Sequence, residues 1–460
     1  MRLGPDTYWC PLPGRLVDFV PAPSTMQAAE DAPEHPVGPS LLQGDHISGV
    51  LAQRTAGREH RGYTCSAITV DADLDEDRMA AALTAFVRAH EGLRSSFRVD
   101  ESGGVTRYVV DPDAVDIVAA DVAETGPHRH LAQRLPHTAV FDAFPGCAFG
   151  VVTRPGSFDL YYGIDHAYGD GSSQVLGLLE ILARYRGEEN HPLVSARHGS
   201  YLDYAVEEFT RAAGLTPDSP GVVEWRRVLT ESGGTIPVFP LPLGLGDDPQ
   251  QVFIHCEDLA DAATTEALSV IAKAHGTSLI SVIYAGLALA HKTFSGADRY
   301  ATATVLSTRG NAEHRGSQGW YCNFAPIGFE IRGSTLEEVI DDAAAAVEAS
   351  KRAVADPVHG ALAILLGEGA IDPSVVASPQ MVTYFDFRWF PAPDGAHDIV
   401  VFTGEGRTRN ASLWISRDLD GLRINTQRPD NPVAAESVAR YFATVRDILT
   451  AAVAVDAGAR

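Results

Sequence analysis

The stretch FDLYYGIDHAYGDGSSQVLGLLEIL, residues 158–182, constrains the fold most. Its first seven residues read as a strand, while Val175, Leu178, Leu179 and Leu182 recur at helical spacing, with Ser172 or Ser173 as the expected N-cap. His166 therefore falls on a short strand-to-helix loop, ahead of Asp170 and Gly171, where the backbone is expected to turn sharply. The positive end of the following helix points back at that loop.

Strands and helices mix throughout the rest of the chain without regular βαβ alternation, which predicts an α+β class rather than a doubly wound parallel sheet. "YTCSAITVD" alternates as a strand; Asp75 caps a helix bearing Met79, Leu83, Phe86 and Val87, stopped at Gly92. "CAFGVVTR" and "FDLYYGI" pair as a hairpin across "PGS". Further on come helices from Asp261 and at 278–293, strands at "RYATATVLS" and "APIGFEI", and a helix opened by Ser334 with Glu337 as a capping box. Late strands at "MVTYFDFRW", "ASLWISRD" and "LRINTQR" precede a closing helix with Val438, Tyr441, Phe442, Val445 and Leu449. The Pro- and Ala-rich first 45 residues read as an extended surface arm.

At 460 residues the chain exceeds one ordinary core. Its Pro- and Gly-rich passage Gly233–Gln251 is the expected connection, giving an N-terminal lobe over 1–235 and a C-terminal lobe over 250–460. A formal net charge of −24 disfavours nucleic acid and anionic membranes as partners, and an acidic ligand such as coenzyme A would need a local basic patch. Five scattered cysteines fit reduced thiols in a cytoplasm. The first residues lack the pattern of a signal peptide, and no apolar run reaches the length of a transmembrane helix.

A neutral imidazole on such a loop can take a proton from a hydroxyl or amine as that group attacks a carbonyl. Burial and the helix N-terminus both keep the ring unprotonated. Asp170 reads either as an orienting group or as a loop lock paired with an arginine, Arg309 or Arg94. Asn323 reads as a substrate or oxyanion donor, or as an amide holding a strand end. His128 and His130 share one face of a strand without a third ligand, so no metal is expected. Ser172 and Ser173 lack a nucleophile elbow, and no phosphate- or dinucleotide-binding glycine motif occurs.

The H-x-x-x-D-G pattern resembles the signature of condensation-domain-like acyltransferases. "HEGLRSSFR", "ATATVLSTRG…GWYCNFAPIGFEI" with Asn323, "YFDFRWF" and "PDNP" are similar to that family's other landmarks, and they fall in its order. The Pro-rich arm, "FPLPLG" and "RPDNP" look most like the polyketide-synthase-associated branch that esterifies trehalose-type glycolipids. The resemblance implies two chloramphenicol-acetyltransferase-like sandwich lobes in a V, with an active-site channel at their interface. It makes His166 the catalytic base and Asp170, Gly171 and Arg309 structural at the site, with Asn323 and Trp389 toward substrate.

Two departures stand out. Asp165 takes the place of the first of two adjacent histidines, which weakens a peptide-condensation reading, and Arg388 replaces the glycine of the D-F-G-W motif. Asp386 and Trp389 therefore also read as packing and loop support. The expected activity is transfer of a fatty or polyketide acyl group from a thioester, on coenzyme A or a phosphopantetheinyl carrier protein, to a sugar hydroxyl such as trehalose. A polyketide synthase or acyl carrier protein is the implied partner, and no cofactor is expected. The rivals are an amide-forming condensation protein and a non-catalytic lipid or carrier-binding scaffold.

Overall fold

The computed structural model describes residues 2–459 except 124, 196, 372–379 and 405. In chain order the strands are Arg2–Gly4 (β1), Arg15–Pro21 (β2), Glu34–His35 (β3), Tyr63–Val70 (β4), Ser95–Val99 (β5), Val105–Val109 (β6), Ile117–Asp121 (β7), Cys147–Arg154 (β8) and Ser157–Asp165 (β9). They continue as Gln250–Asp261 (β10), Arg299–Ser307 (β11), Cys322–Glu330 (β12), Met381–Asp386 (β13), Ala396–Thr403 (β14), Arg407–Thr408 (β15), Ser412–Arg417 (β16) and Gly421–Pro429 (β17). Among the described residues these form a sheet ordered β1-β14-β4-β9-β8-β2-β7, a second ordered β12-β11-β13-β16-β17-β10-β15, and a small one ordered β3-β6-β5.

The fold is α+β, in two compact units. The first comprises Met1–Thr210, Arg309–Tyr321 and Phe390–Gly404; the second comprises Arg211–Thr308, Cys322–Trp389 and Glu405–Arg460. These are not the continuous pieces 1–235 and 250–460. Strand β14 pairs with β1 and β4 and so joins the first unit, which local composition cannot announce. Residues 220–231 join the second unit because Val222, Trp225 and Leu229 pack on Ala303, Val358, Ala361 and Leu365.

Helices of the first unit are Pro23–Glu30 (α1), Leu41–Thr55 (α2), Glu76–Ala89 (α3), Pro127–Thr138 (α4), Gly171–Arg186 (α5), Pro192–Ser195 (α6) and Tyr201–Ala213 (α7), the last ending across the division. Strand β9 lies between β4 and β8 and is buried on both faces from Phe158 onward, which is why it reads as a nearly unbroken apolar run. On one face α4 sets Leu131 and Leu135 against Tyr161; on the other, Phe86 of α3 meets Tyr162 edge-on. Each fully buried Leu or Phe of this kind contributes about 1.5–3 kcal/mol.

The second unit carries Pro220–Glu231 (α8), Ala262–Ala274 (α9), Leu279–Ser295 (α10), Leu336–Ala353 (α11), Val358–Gly367 (α12) and Pro432–Ala459 (α13). Its core places Val282, Ile283 and Leu287 of α10 and Val438, Phe442, Val445 and Leu449 of α13 over Val382, Leu413 and Ile424 of the sheet. No single helix among the described residues is long and apolar enough to cross a membrane.

Several local expectations change. The N-terminal arm is not extended surface chain: β2 pairs with β7 and β8 inside the first sheet. His128 and His130 lie on helix α4 rather than a strand, opened by Pro127 at its first position. Helix α3 stops at Ala89, before Gly92, and the capping box uses Thr335 with Glu338.

Candidate active site

Strand β9 ends at Asp165, and His166 opens a one-turn 3₁₀ segment, His166–Tyr168. The His166 amide donates to the Gly62 carbonyl at 3.0 Å. Asp170 caps helix α5: its Oδ1 accepts the Ser173 amide at 2.7 Å, so the cap is this carboxylate and neither Ser172 nor Ser173. Gly171 is the first residue of α5, with open space where a Cβ would stand, so the turn does not require glycine there.

His166 is partly buried. Its Nδ1 is interior and finds no partner in another residue. Burial first, and then neighbouring His46, push its pKa below the ordinary imidazole value of 6.5. The indole of Trp320 stacks on it, with ring centroids 4.1 Å apart and planes at 29°.

Trp320 is delivered by residues 309–321, which join β11 to β12 and pack as part of the first unit. Arg309 anchors this loop. Its Nη2 donates to both Asp170 oxygens at 3.1 and 3.2 Å and to Ser173 Oγ at 2.7 Å, while Nη1 donates to the carbonyls of His314 and Ser317 at 2.7 and 2.6 Å. The Tyr321 amide adds a 2.9 Å bond to Asp170 Oδ2. Both side chains of this ion pair are over nine-tenths buried, and Arg94 is engaged elsewhere, donating to the Val110 carbonyl at 2.6 Å. Gly319, at φ 154°, lets the loop pass flat against the Tyr201 ring, which any Cβ would strike.

Asp165 is fully buried. Its Oδ1 accepts from the Ala167 amide at 2.8 Å and from His46 Nε2 at 3.0 Å, and His60 Nε2 stands 2.9 Å from Oδ2. Burial alone would raise this carboxyl, but His46 and then His60 outweigh it and hold the pKa at about 2. These two histidines escape sequence reading because residues 46, 60 and 165 share no local spacing. Gly62 makes room for both: a Cβ there would come 2.6 Å from His46 Cε1 and 3.0 Å from His60 Cε1.

A second cluster joins His90, Glu180, His198 and Arg184. The Gln318 amide donates to His90 Nδ1 at 3.3 Å, which fixes the proton on Nε2, and Nε2 donates to Glu180 Oε2 at 2.8 Å. Arg184 takes Oε1 through Nε at 2.8 Å. No lone pair is left on His90 and a guanidinium sits on the carboxylate, so Glu180 pairs with Arg184, while both ring nitrogens of His198 are buried without a hydrogen-bond partner.

The condensation-domain family profile matches residues 49–357. The chain belongs to the condensation-domain family. It is 28% identical to 2'-acyl-2-O-sulfo-trehalose (hydroxy)phthioceranyltransferase PapA1 of Mycobacterium tuberculosis, over 97% of this chain and 89% of that one. Acyltransferase PapA3 of the same organism is 25% identical over 97% of each, and trehalose-2-sulfate acyltransferase PapA2 of Mycobacterium bovis is 25% identical over 96% of this chain and 95% of that one. A solved PapA2 acyl transferase superposes at TM-score 0.87, with 22% identity, 98% of this chain and 100% of that chain covered, and so shares the fold. The first condensation domain of the calcium-dependent antibiotic synthetase follows at 0.68, with 20% identity over 91% of this chain and 96% of that chain. Acyl transfer, the reaction class that the Pap names share, is that of this condensation-domain chain as well.

Not every residue expected at a condensation-type site joins His166. Asn323 is in the second unit and its amide is fully committed: Nδ2 donates to the Val354 and Asp356 carbonyls at 2.8 and 2.7 Å, and Oδ1 accepts from Phe324 and Val358 amides. The geometry supports the strand-end amide reading, with no donor left for substrate. Trp389, also in the second unit, is 68% exposed, and no ring stacks on it among the described residues. Asp386 holds Arg388 through two side-chain bonds of 2.9 and 2.7 Å, as loop support.

Proposed function

We propose that this chain transfers a fatty or polyketide acyl group from a thioester, on coenzyme A or an acyl carrier protein, to a hydroxyl of a trehalose-type sugar. His166 is the general base. Its Nε2 takes the hydroxyl proton as the oxygen bonds to the thioester carbonyl carbon, whose π electrons move onto oxygen. When the tetrahedral adduct collapses the C–S bond breaks, and the thiolate leaves with the proton that His166 returns. Ester and free thiol are the products, with no acyl-enzyme.

One observation carries this reading: a half-buried imidazole held below its ordinary pKa, inner nitrogen unpartnered in any other residue, clamped by Trp320 at the end of a rigid strand. The trehalose acceptor is supported by the names of the relatives that span nearly the whole chain. The five cysteines, none in a disulfide among the described residues, support action in the cytoplasm. The test is free-thiol release from an acyl-coenzyme A and from an acyl carrier protein, with trehalose or an amine as acceptor. Release with trehalose is expected. Release with the amine alone, or a His166→Ala protein that folds and keeps its rate within a few fold, would overturn the proposal.

A further inference from the structure

Asp165 stands where the family resemblance calls for a histidine, and its surroundings give it a use. An ionised carboxylate only accepts hydrogen bonds, so the 3.0 Å contact to Asp165 Oδ1 requires the proton of His46 to sit on Nε2. In the neutral ring Nδ1 is then a bare acceptor. No hydrogen bond to Nδ1 is made by any described residue, although the Nε2 edge is tied into the buried carboxylate and the side chain is only 12% exposed. The ring stands 6.1 Å from that of His166 and 5.9 Å edge-on from that of Trp320. Thus two imidazoles flank one indole, and each has a nitrogen uncommitted to another residue.

We propose that His46 is a second acceptor-binding residue: Nδ1 receives a hydrogen bond from a hydroxyl neighbouring the one that His166 deprotonates, so the site selects polyhydroxylated acceptors over simple alcohols. This rests on the sugar-acylating reading above. Asp165 acts behind it as a positioning residue, fixing the tautomer that makes Nδ1 an acceptor. A lone pair beside the base and lacking a donor is matched by a hydroxyl, and a monohydric alcohol has only one to give.

The experiment compares kcat/KM for trehalose and for hexanol in the wild type, in His46→Phe, and in an Asp165→Asn/His46→Phe double variant that does not strand a buried carboxylate. The trehalose-to-hexanol ratio should fall about tenfold in both variants, the worth of one neutral hydrogen bond. A proportional fall for both alcohols, or an unchanged ratio, overturns the role of His46. Calorimetric titration of trehalose into the same proteins needs no turnover, and Kd should rise about tenfold. A Kd constant within about twofold overturns the proposal whether or not transfer occurs. Absence of thiol release from the wild type with either alcohol would instead overturn the proposed reaction.

Discussion

The first unit holds two histidine–carboxylate clusters whose central imidazoles differ: other residues bond both ring nitrogens of His90 and leave Nδ1 of His166 without a partner. At His90 and Glu180 the backbone of Gln318 takes one imidazole nitrogen, the carboxylate takes the other, and Arg184 balances the charge. At His166 and His46 one nitrogen of each ring is left without a partner in another residue, while Asp165 Oδ1 and both oxygens of Asp170 accept hydrogen bonds. Buried polar groups that are fully paired hold a fold together, and the few that are not need a further explanation. The sealed pair His90–Glu180 thus reads as a structural lock and the open ring of His166 as a reactive group, although beside the sealed pair His198 keeps two buried ring nitrogens without a hydrogen-bond partner.

The largest expected effect breaks the comparison at the open end. Replacing His166 by Ala should lower kcat/KM for thiol release by about 10²–10⁴, the worth of a positioned general base, with circular dichroism and melting unchanged. A loss well under tenfold in a folded protein would make this cluster as inert as the sealed one. Next comes the clamp that brings Trp320 to the ring. Arg309→Ala leaves Asp170 as an uncompensated buried carboxylate and should cost about 3–5 kcal/mol in denaturant unfolding. It should also slow transfer, because the loop loses the guanidinium that binds the carbonyls of His314 and Ser317.

The sealed cluster should behave in the opposite way. Glu180→Gln keeps the side chain's shape but removes the charge facing Arg184, at a cost of about 1–3 kcal/mol of stability. Burial would by itself raise the Glu180 carboxyl, but His90 and His198 overcome this and hold it well below the usual carboxylate range, so the wild-type group is an anion. Turnover per folded molecule should stay within about twofold of wild type, since Glu180 is committed to His90 and Arg184. A rate loss larger than the stability loss explains would show that this cluster also serves turnover.

How much of this could be seen in the sequence depended on whether a signal was local. The strand, loop and helix around His166 were legible because burial on both faces of β9 writes a continuous apolar run and α5 writes a helical period. The Asp75 cap was legible because its signal is local too, as it bonds the amide three residues on; Asp261, read only as the start of a helix, does the same. Arg309 was named as one of two partners for Asp170, but only the fold separates it from Arg94. His46 and His60 were invisible, because they reach Asp165 across more than a hundred residues of chain. Strand β2 was hidden by the prolines around it and by the lack of alternation in "RLVDFV", and only its partners β7 and β8 reveal it. For Asn323 the sequence left two readings open, substrate donor or strand-end amide, and four backbone groups on its amide favour the second.

The smallest effect expected is also the most specific to the open cluster. His166 works as a base only when unprotonated, and burial together with His46 lowers its proton affinity, so the acid limb of kcat/KM should lie below the ordinary imidazole value of 6.5. The same shift means that the unfolded chain binds this proton more readily than the folded one. Its contribution to stability is thus present above pH 6.5 and is lost as pH falls below that value. Burial also depresses His90, so a stability profile alone would mix the two clusters, whereas the rate profile follows His166. In His46→Phe the second cause is removed and the first remains, which should move the acid limb upward without carrying it beyond 6.5. A wild-type limb at or above 6.5 would mean that the ring is solvated and paired during turnover, and the contrast between a sealed and an open cluster would lose its electrostatic half.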